Sequence, residues 1–286
     1  MKEIVNTKYN TKNTPNWCPG CGDFGIWTAF KQACLKQSWD NSNTALVAGI
    51  GCHGHIINFV NITNFEGLHG RPLPLAEGIR LANTDLNVFV FTGDGDCLAE
   101  GGNHFLHACR RNMNITVILH DNAIYGLTTG QTSPRSPKGY ISKSTPEGNM
   151  EEPLNPISLA ISSGATFVAR AYSGDIEYLR DLITLANKHK GFAIIDVLQP
   201  CVTFNKQYSH YFFQKNIYNL QNTDYDFTNK GWAFVKSLEW GENQIPVGIF
   251  YQVNQPTYEE QLTHINKPLF EEVKKRDISE LLGKFM

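Results

Sequence analysis

No stretch of the 286 residues is apolar for long enough to span a bilayer. The opening segment, MKEIVNTKYNTKN, lacks the apolar core of a secretory signal, so a cytoplasmic location is expected. An excess of one charge is missing too. A net charge of −2 gives no strong field, and neither nucleic acid nor a membrane is expected as a partner. There is no internal repeat, low-complexity tract or membrane-facing amphipathic helix. The length suits one large domain or two small ones. Seven cysteines are present, an odd number. In a reducing compartment such thiols are buried or bind metal rather than pair. Only one Cys-x-x-Cys occurs, which excludes a zinc site built from two such pairs.

The chain is organised around Thr92 to Gln131. An apolar run, Val88 to Phe91, precedes this stretch, and a second, Ile115 to Leu119, lies within it. Both read as short buried strands. Between them Glu100 to Arg111 has helical spacing, with Phe105, Leu106 and Cys109 on one side. Strand, helix and strand over this distance make one crossover of a parallel sheet. Asp94 sits between Gly93 and Gly95 just past the first strand, and Asp121 and Asn122 follow the second. Ligands of open α/β sheets collect at these carboxyl ends. The Asp94 carboxylate, the Asn122 amide oxygen and the Ile124 carbonyl are hard oxygen donors suited to Mg²⁺. Gly93 and Gly95 let the backbone approach a phosphate. Alone, Gly-Asp-Gly is more often a solvated turn. With 25 residues between Gly95 and Asp121, the pair resembles the thiamine diphosphate motif, with Asp121 in place of that motif's first Asn.

The rest of the chain alternates helix and strand. Residues 1–17 read as a polar arm. Cys18 and Cys21, in the turn WCPGCG, can point both sulfurs at one metal. A helix is expected over Phe24–Gln37, with Cys34 in the core, and a strand over Ala45–Ile50. That strand runs into Gly51-Cys52-His53-Gly54-His55, whose histidines suit a metal or a phosphate. His69 and Arg71 precede a helix over Leu75–Ala82 and suit an anion or a ring nitrogen. Glu77 on that helix is expected to be exposed or at an interface. Cys109 reads as core, and Cys97 is ambiguous. A long polar loop, Thr132 to about Pro156, is expected to be functional. Helices at Pro156–Ser163 and Ile176–Lys188 and strands near Thr166–Ala169 and Ala193–Leu198 follow. Cys201 comes directly after the last strand. Cys18, Cys21, Cys52 and Cys201 thus supply four thiolates, which bind zinc or an iron–sulfur cluster. Spacing does not decide between these. Residues 207–286 change character, with one more strand at Pro246–Val253, and read as an extension of the domain formed by residues 1–206.

Taken together, WCPGCG, GIGCHGH, LHGR, GDGD, DNAIYGLTTGQTSP and the late Pro-Cys resemble the β subunit of a 2-oxoacid:ferredoxin oxidoreductase over roughly residues 15–205. The resemblance implies an α/β fold. This is a parallel-sheet thiamine diphosphate-binding domain with helices on both faces and a C-terminal extension. It implies thiamine diphosphate, Mg²⁺ and one [4Fe–4S] cluster. The cluster ligands fall on Cys18, Cys21, Cys52 and Cys201, and the Mg²⁺ ligands on Asp94, Asn122 and Ile124. Thiamine diphosphate contacts fall on Ile50, Gly51, Cys52, His53, His69, Gly95, Asp96, Gly126 and Leu127. Catalytic roles fall on His53, His69 and Thr129. Many relatives carry Lys at the position of Thr129, near where coenzyme A acts. The implied partners are an α subunit (αβ or α2β2), ferredoxin, a 2-oxoacid of the 2-oxoglutarate or pyruvate class, and coenzyme A. The implied reaction is oxidative decarboxylation to an acyl-CoA and CO₂. Glu66 and Glu77 are the candidates here for the carboxylate that activates thiamine, which the α subunit is expected to supply. Two alternatives stand beside this reading. One is a non-redox thiamine decarboxylase or synthase with a structural zinc. The other is a non-enzymatic, metal-stapled nucleotide-binding module.

Overall fold

The computed structural model describes residues 8–242, 244–262, 268–272 and 279–284. Strand β3, Asn87–Gly93, shows how the layers are set. Its Phe89 and Phe91 pack on one face of the sheet with helices α1 (Asp23–Gln37) and α5 (Ile176–Lys188). Its Val88 and Val90 pack on the other face with α2 (Pro72–Ala82), α3 (Gly102–Arg111), α4 (Pro156–Ser163) and α7 (Lys230–Ser237). A strand covered on both faces must be apolar throughout, which is why the central strands read as unbroken runs.

The sheet has eight strands in the order β2-β1-β3-β4-β6-β5-β8-β7. They are β1 Thr44–Ala48, β2 Asn64–Glu66, β4 Thr116–Asp121, β5 Phe167–Tyr172, β6 Ala193–Leu198, β7 Ile217–Asn219 and β8 Ile245–Gln252, with β3 as above. Neighbouring strands from β2 to β5 are parallel; β8 runs antiparallel to β5, and β7 parallel to β8. Residues beyond 207 therefore add two strands to this one sheet, together with α7 and a short helix, α6 (His210–Asn216). Local signals place the helices. Asn155 caps α4 by accepting from the Ile157 and Ser158 N–H groups, each at 3.1 Å, and Pro156 opens the helix. Among the described residues no helix is long and apolar enough to cross a membrane.

Several expectations need correction. The segment 8–17 is not an arm: Tyr9 is buried and donates to the Cys34 carbonyl at 3.1 Å, and Asn10 bridges to Val60. Residues 1–7 lie outside the described residues. Leu106 is exposed, because Phe105, Ala108 and Cys109 define the buried stripe of α3 and Leu106 is turned about 100° away from Phe105. Glu77 is not exposed: it is half-buried, and Arg111 donates to both its oxygens at 3.0 and 3.1 Å. Helix α3 begins at Gly102, and a π-helical turn, Gly95–Glu100, precedes it.

Candidate active site

The loops after β1, β3, β4 and β6 meet at one edge of the sheet, the carboxyl edge. Two cavities open there. The smaller, about 90 Å³, is lined by Ile50, Gly51, Cys52, His53, His69, Asp94, Gly95, Asp96, Asn122, Ile124, Gly126 and Leu127, among others. All the residues expected to hold thiamine diphosphate and Mg²⁺ are therefore brought together. The larger, about 300 Å³, is lined by Cys18, Cys21, Cys52, Cys201 and Thr129. Cys52, Asn122, Gly126 and Leu127 line both, so the two cavities share a wall. A shallower cleft of about 670 Å³ beside Leu185 and Lys188 contains none of these residues.

Asp96 organises the smaller cavity. Its Oδ1 accepts from the N–H groups of Ile50 at 3.1 Å and Gly70 at 2.8 Å, and lies 2.7 Å from His69 Nδ1. Its Oδ2 accepts from the Thr92 hydroxyl at 2.6 Å and lies 3.6 Å from His53 Nε2. Burial works to raise the Asp96 pKa, but His53 and these donors outweigh it and hold the carboxyl well below the usual range. Gly49 makes the approach possible, because a Cβ there would fall 1.8 Å from Asp96 Oδ2. The carboxylate thereby pins the loops after β1 and before α2 to the end of β3.

Asp94 is only 1% exposed. Burial and the neighbouring Asp121 raise its pKa well above the carboxylate range, while the Ser133 hydroxyl, which donates to Oδ2, and Arg135 oppose this. A buried carboxylate in this state is favourable to a cation. Asn122 Oδ1 accepts from the Ile124 N–H at 3.0 Å. The turn between them is tight enough to hold Ala123 at φ 55°. Arg135 neutralises Asp121 through a 2.7 Å ion pair. A carboxylate, an amide oxygen and a carbonyl on one cavity wall fit Mg²⁺.

Four thiols line the larger cavity, a donor set of the kind that holds an iron–sulfur cluster. Cys52 Sγ and Cys201 Sγ each lie 3.6 Å from where a Cβ on Gly126 would sit, so the sulfurs are within about 7 Å of one another. Among the described residues no three His, Cys, Asp or Glu side chains converge closely enough for a single metal ion. Trp17 walls the cavity and donates to the Cys52 carbonyl at 2.7 Å. Burial pushes the Cys52 thiol up to about 12, with Asp23 adding to the rise. Thiolates here call for a positive group to hold. Cys97 packs among Val90 and Phe105 and is a core thiol.

Other side chains fall differently. Thr129 lines the thiol cavity and not the smaller one, at φ 78°. Arg71 turns away and donates to the carbonyls of Gly70 and Glu100 at 3.1 and 2.6 Å. His55 contacts Asn16 Oδ1 at 3.1 Å. Glu66 is exposed on β2, Glu77 is held by Arg111, and neither lines a cavity. Residues not singled out in the sequence include Ser133 on Asp94, Glu100 accepting from the Tyr125 hydroxyl at 3.1 Å, and the buried pair His120–Asp23 at 2.7 Å. For Ser133 the signal was its place in the long polar loop; for His120 and Asp23 there was none.

Comparison with known proteins agrees with this geometry. The thiamine pyrophosphate enzyme, C-terminal TPP binding domain family matches residues 49–197. The family of the C-terminal region of the pyruvate ferredoxin oxidoreductase beta chain matches residues 201–267. The 2-oxoacid:ferredoxin oxidoreductase subunit beta of a Sulfolobus species is 48% identical over 268 residues, covering 89% of this chain and 87% of that protein. Its counterpart from Saccharolobus solfataricus is 44% identical over 282 residues, covering 94% and 92%. Among solved structures, 2-oxoglutarate:ferredoxin oxidoreductase from Magnetococcus marinus, with 2-oxoglutarate, coenzyme A and succinyl-CoA bound, superposes with a TM-score of 0.88. That chain is 33% identical, and the match covers 100% of this chain and 97% of that one. The chain belongs to the β subunits of the 2-oxoacid:ferredoxin oxidoreductases.

Proposed function

We propose that the chain works in the cytoplasm with an α subunit to oxidise a 2-oxoacid to an acyl-CoA and CO₂, delivering electrons through a [4Fe–4S] cluster to ferredoxin. The observation that carries this is the shared wall of the two cavities, Cys52, Asn122, Gly126 and Leu127. A cofactor that accumulates electrons in one cavity would be separated from an acceptor in the other by a single layer of side chains. The seven unpaired cysteines suit a reducing compartment.

Thiamine diphosphate, when bound, supplies the carbon nucleophile and electron sink that decarboxylation of a 2-oxoacid needs. The chain's own residues hold and orient it. Asp94, Asn122 and the Ile124 carbonyl would take Mg²⁺, whose charge would offset that of the diphosphate. Asp96 acts mainly through what it ties down, fixing the Ile50 N–H, His69 and Gly70. His53 is buried beside Asp96, its Nε2 3.6 Å from Oδ2 and making no hydrogen bond, so it would face a ligand bound in the cavity. Cys18, Cys21, Cys52 and Cys201 would hold the cluster. Thr129, on the thiol side, would face the route of the acyl acceptor. Residues 1–206 form the cofactor domain in this reading, and 207–286 an extension packed on it and toward the partner. The α subunit supplies the carboxylate that activates thiamine, since Glu66 and Glu77 are both turned elsewhere and Glu100 is engaged by Tyr125.

The test is an anaerobic absorption spectrum of the purified protein with iron and sulfide assays. A broad band at about 400 nm, bleached by dithionite, with about four irons per chain is expected. A colourless protein with one zinc would remove the electron-transfer half of the proposal. Decarboxylation by the β chain alone would refute the role given to the α subunit.

A further inference from the structure

Gln199 joins the two cavities through its side chain. It follows β6 directly and is 1% exposed. Its Oε1 accepts from Asn122 Nδ2 at 3.0 Å, and its Nε2 donates to Cys21 Sγ at 3.2 Å. The orientation of both amides follows from their partners. Asn122 Oδ1 already accepts from the Ile124 N–H, so Asn122 presents its NH₂ group to Gln199. Gln199 must answer with its oxygen, which turns its own NH₂ group to the sulfur.

The side chain is also held in place by packing. A Cβ on Gly22 would fall 2.9 Å from Gln199 Cγ and 3.0 Å from Pro200 Cδ. On the backbone, the Gln199 N–H donates to the Asp121 carbonyl at 2.9 Å, and the Gly22 N–H to the Pro200 carbonyl at 3.1 Å. The loop carrying Gln199 is thus sewn to the loop that carries Asn122 and to the turn that carries Cys18 and Cys21. The Cys21 thiol now donates to Asp23 Oδ2 at 3.4 Å. Gln199 offers the same sulfur a neutral donor.

We propose that Gln199 is a positioning residue for electron transfer: its amide, oriented by Asn122, donates to the Cys21 sulfur and raises the reduction potential of the cluster that sulfur holds. A donor to a ligating sulfur favours the more negative, reduced state. The inference rests on the reading of Cys21 as a cluster ligand.

The experiment is a redox titration of the anaerobically purified αβ complex, followed by electron paramagnetic resonance, for the wild type, Gln199→Leu and Gln199→Glu. Both variants are expected to shift the cluster's midpoint to more negative potential at unchanged iron content, with the larger shift for Gln199→Glu, which adds charge. An intact cluster with an unmoved potential in both variants overturns this proposal alone. A complex with zinc and no iron overturns the cluster reading, and this proposal with it. Should the substitutions cost the fold or the cluster, the unsubstituted complex decides, grown with side-chain-labelled glutamine and reduced. A nitrogen hyperfine coupling from a glutamine amide to the cluster supports the assignment, and its absence overturns it.

Discussion

Replacing Asp96 by Asn changes one charge and almost no volume, and it tests whether that carboxylate holds the smaller cavity together. Three contacts converge on Oδ1, from Ile50, Gly70 and His69; on Oδ2 the Thr92 hydroxyl donates and His53 Nε2 lies 3.6 Å away. An Asn oxygen in the Oδ1 position keeps the three as neutral bonds. A bond to a charged acceptor contributes about 1 kcal/mol more than a neutral one, so the loss is about 3 kcal/mol. The Thr92 hydroxyl can reverse and accept, which adds little. For a chain of this size the expected fall in thermal midpoint at neutral pH is about 6–10 °C. The pH dependence carries its own sign. The Asp96 carboxyl titrates below the usual range in the folded protein. Its contribution is therefore fully present above the unfolded value of about 3.9 and is lost as pH falls toward the folded value. The difference between wild type and Asp96→Asn should be flat from about pH 5 to pH 8 and shrink only in acid. Thermal unfolding by circular dichroism across that range is the assay. Equal midpoints at pH 7, or a difference that grows on acidification, would refute the assignment of Asp96 as the organising residue.

Three further outcomes follow from the same geometry. Asp94→Asn keeps the Ser133 contact but removes a buried charge whose pKa stands raised. It should leave the cofactor-free protein as stable or more so, while weakening thiamine diphosphate binding with Mg²⁺ at least tenfold, about 1.4 kcal/mol, by fluorescence titration. Thr129→Gly relieves a β-branched residue at φ 78° and should raise the denaturation midpoint by the equivalent of about 1 kcal/mol; a lower midpoint would show that Thr129 makes a stabilising contact. Lys31 is buried, 3.0 Å from the centre of the Trp27 ring and 2.8 Å from Asn10 Oδ1, and burial lowers its pKa to about 8. Its charge opposes folding below that value, and the cost disappears as pH rises toward the unfolded value of about 10.4. The wild type should therefore gain stability over that interval relative to Lys31→Met, and parallel pH profiles would contradict this.

What could be read from the sequence depended on what its physics leaves in a linear string. Strands β3, β4 and β6 were legible because burial on both faces demands unbroken apolar runs. Asp94 and Asn122 were legible because a parallel crossover brings successive strand ends together, and Cys52 and Cys201 because each comes within four residues of a strand's end. Strand β2 was not, since Asn64–Glu66 is exposed and has no apolar pattern. That Ile245–Gln252 forms a strand could be read, but its antiparallel pairing with β5 is a long-range outcome. Gln199, His120 and Asp23 left no mark. A buried Gln beside a Pro and a His within a strand acquire meaning only from groups that are distant in sequence. The burial of Tyr9 was hidden for a related reason, because a single aromatic among polar residues reads as solvated until helix α1 offers the Cys34 carbonyl.

The site is built as one half of an enclosure. The smaller cavity carries a cation-ready carboxylate, a buried histidine and a rigid floor, all from this chain. Among the described residues it offers no free carboxylate for the far end of thiamine, since Asp96 is saturated by donors and Glu100 is turned to Tyr125 and His69. Apolar groups gather where a cover is needed. Leu68, beside the cavity-lining His69, is 79% exposed, and Leu127, on the wall common to both cavities, is 45% exposed. On the proposed reading these two side chains would lie under the partner subunit. One partner seated there would remove water from the cavity, cover both leucines and bring the missing carboxylate. The thiol cavity would need no such completion, since the four cysteines that line it come from this chain. On the proposed reading the division of labour would be this: the β chain would hold the electron path whole, and the chemistry that feeds it would begin only once an α partner closes the cavity.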